Sequence, residues 1–168
     1  IRFYAAFGAG GVIYLTSLIF NNIGLSATDI GLGFTVSAII GTITRLFTGN
    51  YLNKKGEILF PIVTSSILSI ASSLCLIFSR DTFLYIIGQS FVGAAAGIYW
   101  PAAEFGVPYF CHPIETRKAY ALVRSSEALG IFLGVFLGGY MTNFLYSKSI
   151  FINDIFCMLV ITYLISRN

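Results

Sequence analysis

Glu104, Arg124 and Glu127 are ionisable groups set inside long apolar runs. Burying such groups away from water is costly, so each is a candidate for a functional role. A carboxylate at that depth can take up and release a proton, which makes Glu104 a candidate coupling group. It shares one helical stripe with Gln89, Gly93, Ala96 and Trp100, at spacings of three and four. A hydrated carboxylate near the end of its helix is the competing reading. Arg124 and Glu127 stand three apart and can pair, which favours a structural ion pair over a substrate site. Arg45 can snorkel, its stem in apolar surroundings and its head in water. His112, the single histidine, falls in a polar loop and is expected to be exposed rather than catalytic. Cys75, Cys111 and Cys157 lie scattered in apolar stretches and read as small apolar residues, not as disulfides or metal ligands.

The elements that carry these groups follow from composition. The chain is 57% hydrophobic and 10% charged, where a soluble domain has about 25% charged residues. So few polar groups cannot cover a water-facing surface, and the chain is expected to be embedded in a membrane. A net charge of +3, scattered along the chain, points to no nucleic-acid partner. No cofactor is expected. The first residue is Ile1, so a preceding segment is expected, and the first apolar run reads as a retained span rather than a signal peptide.

Crossing the hydrocarbon core takes about 20 apolar residues. Six runs qualify: residues 3–20, 29–52, 58–78, 83–109, 119–144 and 150–165. The fold class is therefore all-α, a multi-pass membrane bundle of six transmembrane helices in one unit, residues 1–168. The stretch Ser26-Ala27-Thr28-Asp29 offers capping oxygens before the second run, and the short turn Ser79-Arg80-Asp81-Thr82 carries its own cap before the fourth. Pro101 and Pro108 interrupt the fourth run and are expected to kink it. Of the ten basic residues, Arg2, Arg45, Lys54, Lys55, Arg117, Lys118, Arg124 and Arg167 fall on one side and only Arg80 and Lys148 on the other. The positive-inside rule then places both termini of this segment in the cytoplasm of a cell (plasma or inner) membrane.

The polar, doubly basic stretch 48–56 between the second and third runs reads as a tight turn at the cytoplasmic surface. Gly49, Asn53, Lys54 and Gly56 follow the order Gly-x-x-x-Asp-Arg/Lys-x-Gly, with asparagine in place of the acid. This resembles the signature loop between the second and third helices of the major facilitator superfamily. Three further stretches are similar to that family's motifs. Residues 88–97 match its fourth-helix run, with Gln89 where an arginine is expected. Pro113, Glu115 and Arg117 match its loop before the fifth helix. Gly130, Gly134, Gly138 and Gly139 match the fifth-helix motif of its antiporters, with Val135 where a proline is expected. Glycines four apart also form a packing stripe in any membrane helix, which serves equally for Gly93, Gly97, Gly130, Gly134 and Gly138.

The resemblance implies the N-terminal six-helix half of a twelve-helix transporter, with substrate bound between halves near the midplane. Its expected partners are membrane lipids, a small-molecule substrate and the C-terminal half. In that family the first and fourth helices line the cavity. This implies that Glu104, Trp100 and Gln89 face it, with Tyr14 and Asn21 opposite. Asn53 would act as a latch toward the other half, lacking the charge of the usual acid, and Glu115 would pair with Lys54 or Lys55. The implied function is secondary active transport by alternating access, as proton-coupled efflux, with uptake of a sugar or other metabolite as the alternative. A six-helix channel would need a selectivity element, and a membrane enzyme a nucleophile and base at membrane depth; no stretch resembles either.

Overall fold

The computed structural model describes residues 1–111, 113–144 and 146–167. His112 lies outside the described residues. The elements are α1 (Arg2–Ile23), α2 (Ala27–Lys55), α3 (Leu59–Phe78), α4 (Thr82–Phe105), the short α5 (Val107–Phe110), α6 (Thr116–Phe144) and α7 (Ser149–Ser166). Six of these helices, all but α5, are long and apolar enough to cross a membrane.

Local chemistry explains where they start and stop. Ser26 caps α2, its hydroxyl accepting from the Asp29 N–H at 3.1 Å. Asp81 caps α4 by accepting from the Leu84 N–H at 3.1 Å. Gly24 and Gly56 end α1 and α2 at φ of 103° and 65°, a left-handed conformation that costs other residues a Cβ clash. Two boundaries differ from the sequence expectation. Helix α2 continues through Asn53, Lys54 and Lys55, so the turn is only residues 56–58, because none of these three side chains breaks a helix and Gly56 does. The fourth span stops at Phe105, not at Tyr109. Pro101 is accommodated inside α4, whereas Pro108 opens the separate α5, where its missing N–H is not required.

Between helices in lipid there is little hydrophobic drive, so close backbone packing holds the bundle. Helix α2 packs on α4, α4 on α3, α3 on α7, α7 on α1 and α1 on α6. Helices α2 and α6, at the two ends of this series, scarcely touch, which leaves a cleft between them. Glycines set the close approaches. A methyl at Gly93 would run into the Ser37 backbone, and one at Gly97 into Thr44 and the Gly41 carbonyl, so α2 and α4 meet at the backbone. Gly130 and Gly134 seat the Phe3 and Phe7 carbonyls of α1 in the same way, and Gly138 meets Leu15 and Ile150.

Two apolar clusters occupy opposite ends of the bundle. One gathers Phe20, Leu76, Tyr85 and Phe151. The other gathers Leu52, Ile62, Tyr99, Met158 and Ile161. At the first end the Lys148 ammonium is buried, donating to the Ile77 carbonyl at 2.8 Å and to that of Ser79. It also lies 5.3 Å over the Phe20 ring. A cation there neutralises the negative end of α3. Burial, and then the nearby Arg80 charge, lower its pKa below the usual lysine value.

Candidate functional site

Four charged side chains from three helices converge at the end of the cleft where α1 and α6 begin and α4 ends. Arg2 donates to Glu127 through Nη2 at 2.9 Å and Nε at 3.2 Å. It reaches Glu104 at 3.5 Å. Arg124 donates to Glu127 at 3.1 Å and also contacts Glu104. The Arg2 guanidinium stacks 4.6 Å over the Trp100 ring, a cation–π contact that keeps the charge flat against α4. Tyr120 donates to the Glu104 carbonyl at 3.2 Å, tying α6 to the last turn of α4.

This cluster opens on a cavity of about 540 Å³ lined by Arg45, Gly49, Trp100, Pro101, Glu104, Arg124 and Glu127. A second cavity of about 400 Å³ lies further along, between α1, α2 and α4, and includes Thr42, Gln89, Gly93 and Gly97. Arg45 lines both. Two acids balance Arg2 and Arg124 in the cluster, and Arg45 adds a positive charge where the cavities meet. The arrangement can hold a small molecule, offer it ionic partners and expose a carboxylate to water.

Comparison with known proteins fits this architecture. The model of the Major Facilitator Superfamily matches residues 1–167. The chain belongs to that superfamily. It is also similar to the MFS-type transporter YttB of Bacillus subtilis, with 27% identity over 132 residues, which is 79% of this chain and 33% of that protein. The chain thus covers about a third of the length of the relative it matches.

Within this major facilitator bundle the residues singled out from sequence fall into four places. Glu104 and Trp100 line the larger cavity, together with Gly49 from the signature stretch. Gln89 lines the second one, buried, with Gly93 and Gly97 beside it. Tyr14 and Asn21 line neither of these two cavities; both are exposed on α1. Asn53, Lys54, Gly56, Glu115 and Arg117 are exposed at one end of the bundle. Glu115 does not pair with Lys54 or Lys55. It sits one residue ahead of α6 and meets Lys118, three residues on, at 3.8 Å, the partner its own helix start supplies. Arg124 and Glu127 do pair, but as half of the four-membered cluster rather than alone.

Two functional candidates escaped sequence reasoning. Arg2 counts there only toward topology, whereas in the fold it is the hub of the charged cluster. Asp154, in the middle of α7, is buried and receives hydrogen bonds from Ser69 at 2.9 Å and Ser73 at 2.8 Å. An acid inside an apolar run was the available signal, together with serines at spacings of three and four along α3.

Proposed function

We propose that this chain is the N-terminal six-helix half of a secondary active transporter that exports small molecules by alternating access in exchange for protons. The observation that carries this reading is the Glu104 carboxylate, held by Arg124 and Arg2 at the mouth of a 540 Å³ cavity between helices that scarcely pack together. Substrate charge or a change in the cleft can displace an arginine and let the acid take a proton. Ion pairs of this kind, partly exposed, are worth about 0–1 kcal/mol each, enough to bias a nearly balanced pair of conformations.

The remaining partners follow from the surfaces. Helices α2 and α6 carry Leu46, Phe47, Phe132 and Phe136 exposed, faces suited to lipid and to the second half of the transporter. Lys54, Lys55, Arg117 and Lys118 gather at the end of the bundle where α2 stops and α6 begins, which we assign to the cytoplasm together with both termini of this segment. At 29 residues, α2 and α6 are each about 43 Å long, so their basic ends extend past a hydrocarbon core of about 30 Å.

The test is transport in vesicles driven by an imposed pH gradient. Glu104→Gln keeps shape and removes the titrating group, so it should abolish pH-driven transport while leaving membrane insertion intact. Full retained activity would exclude the role. Running the gradient in both directions separates export from uptake.

A further inference from the structure

Asp154 lies 2% exposed on α7, between α1 and α3, in the layer that separates the two apolar clusters. Both of its hydroxyl donors, Ser69 and Ser73, reach the same oxygen, Oδ2. The other oxygen, Oδ1, lies against Gly8 of α1, close enough that a methyl there would come within 2.8 Å of it. The groups facing the carboxyl are therefore Gly8 on α1, Ser69 and Ser73 on α3, and Cys157 on its own helix. Helix α6 meets α7 elsewhere, through Gly138 and Ile150. No lysine or arginine forms a salt bridge with Asp154 among the described residues.

A carboxylate with hydroxyl donors and no cation is expensive at membrane depth, where several kcal/mol separate the charged form from the neutral one. Neutralisation by a proton removes that cost and leaves Oδ2 free to keep accepting from both serines. Space for water lies beside the carboxyl. A cavity of about 50 Å³ is lined by Asp154, Ser65, Ser69 and Ser72 together with Tyr99 and Trp100. Holding one water takes about 10–15 Å³ of such space, so a short file of waters fits. The Tyr99 hydroxyl is buried at the wall of this space without a hydrogen-bond partner among the described residues, a ready contact for that water. Trp100 is a wall of both this cavity and the larger one that holds Glu104.

We infer that Asp154 is a second proton-binding site, reached from the transport cavity past Trp100 and distinct from Glu104. The reaction is a plain protonation: the carboxylate takes one proton from water in the small cavity and returns it there. The route rests on the transport reading; the protonation of the carboxyl does not. Loading and unloading this acid changes the charge at the contact of α1, α3 and α7, three helices that must keep their register while the cleft opens and closes.

The test is chemical and needs no transport. Dicyclohexylcarbodiimide, an apolar reagent to which a protonated carboxyl gives its proton and adds through oxygen, the product rearranging to a stable N-acylurea, is applied to the protein in membrane vesicles over a pH series, and adducts are located by peptide mass. The expected result is an adduct on Asp154 whose yield falls about tenfold per pH unit once the acid ionises, with no adduct at this position in Asp154→Asn. Absence of an adduct on Asp154 at every pH between about 5 and 9, or a yield independent of pH, overturns the inference. The wild-type labelling decides the matter even if Asp154→Asn fails to insert. Loss or retention of transport in Glu104→Gln leaves the Asp154 result unaffected, so the two readings fail separately.

Discussion

Arg2 and Glu127, 125 positions apart in the chain, meet through two hydrogen bonds of 2.9 and 3.2 Å and close the α1–α6 contact at one end of the bundle. Arg2 is 8% exposed and Glu127 15%, whereas Glu104 is 42% exposed. The two acids therefore have different jobs. Removing Glu127 leaves a buried arginine with only the longer contact to Glu104, so Glu127→Gln should cost about 2–4 kcal/mol of stability. Glu104→Gln should cost about 1 kcal/mol or less, because water screens that pair. Thermal unfolding of the purified protein in detergent checks the order; equal losses would contradict it.

Backbone contact at the glycines sets a second expectation. Gly93→Val and Gly134→Val each drive a side chain into the neighbouring helix backbone and should cost about 3 kcal/mol or more. Gly139→Ala meets nothing within 4 Å and should change stability by about 0.5 kcal/mol or less. Expression and unfolding temperature of the three variants, compared side by side, give the answer.

Lys148→Met tests the pin at the opposite end. The carbonyls of Ile77 and Ser79 lose a charged donor in a buried place, so the loss should be about 1–3 kcal/mol. Unfolding of this variant at the wild-type temperature would show that the carbonyls find another partner.

Gly56 and Asn53 can be separated within the signature stretch. Gly56 holds a φ of 65°, so Gly56→Ala should cost about 1–2 kcal/mol through strain alone. Asn53 is exposed and can still accept from the free N–H groups of a facing helix end. Asn53→Asp adds about 0.3–1 kcal/mol of charge–dipole attraction and should favour the outward-facing state. Unchanged reactivity of cysteine probes on the cytoplasmic side would count against the latch.

The spans were legible because a bilayer dictates their length and composition, and Ser26 and Asp81 mark helix starts in the manner of any capped helix. The boundaries around residues 53–58 and 105–110 were less so, since polar residues such as Asn53 and Lys54 are compatible with both a helix and a turn. Glu104 and Trp100 could be placed on one stripe by spacing alone. Their partner Arg2 could not, because the contact depends on how α1 crosses α4 and α6. Asp154 was hidden for a similar reason: its donors lie 85 and 81 positions away, on α3.

The central claim is that the cleft lined by Arg45, Trp100 and Glu104 is a passage open to each side of the membrane in turn. Thr42, exposed and lining the second cavity, is the place to test it. With Cys75, Cys111 and Cys157 replaced by serine, Thr42→Cys in oriented vesicles is treated with a membrane-impermeant thiol reagent from one face and then, separately, from the other. Reaction from both faces, with the balance shifted by an imposed pH gradient, is the predicted result. Reaction from neither face, or from one face only whatever the gradient, would contradict the account.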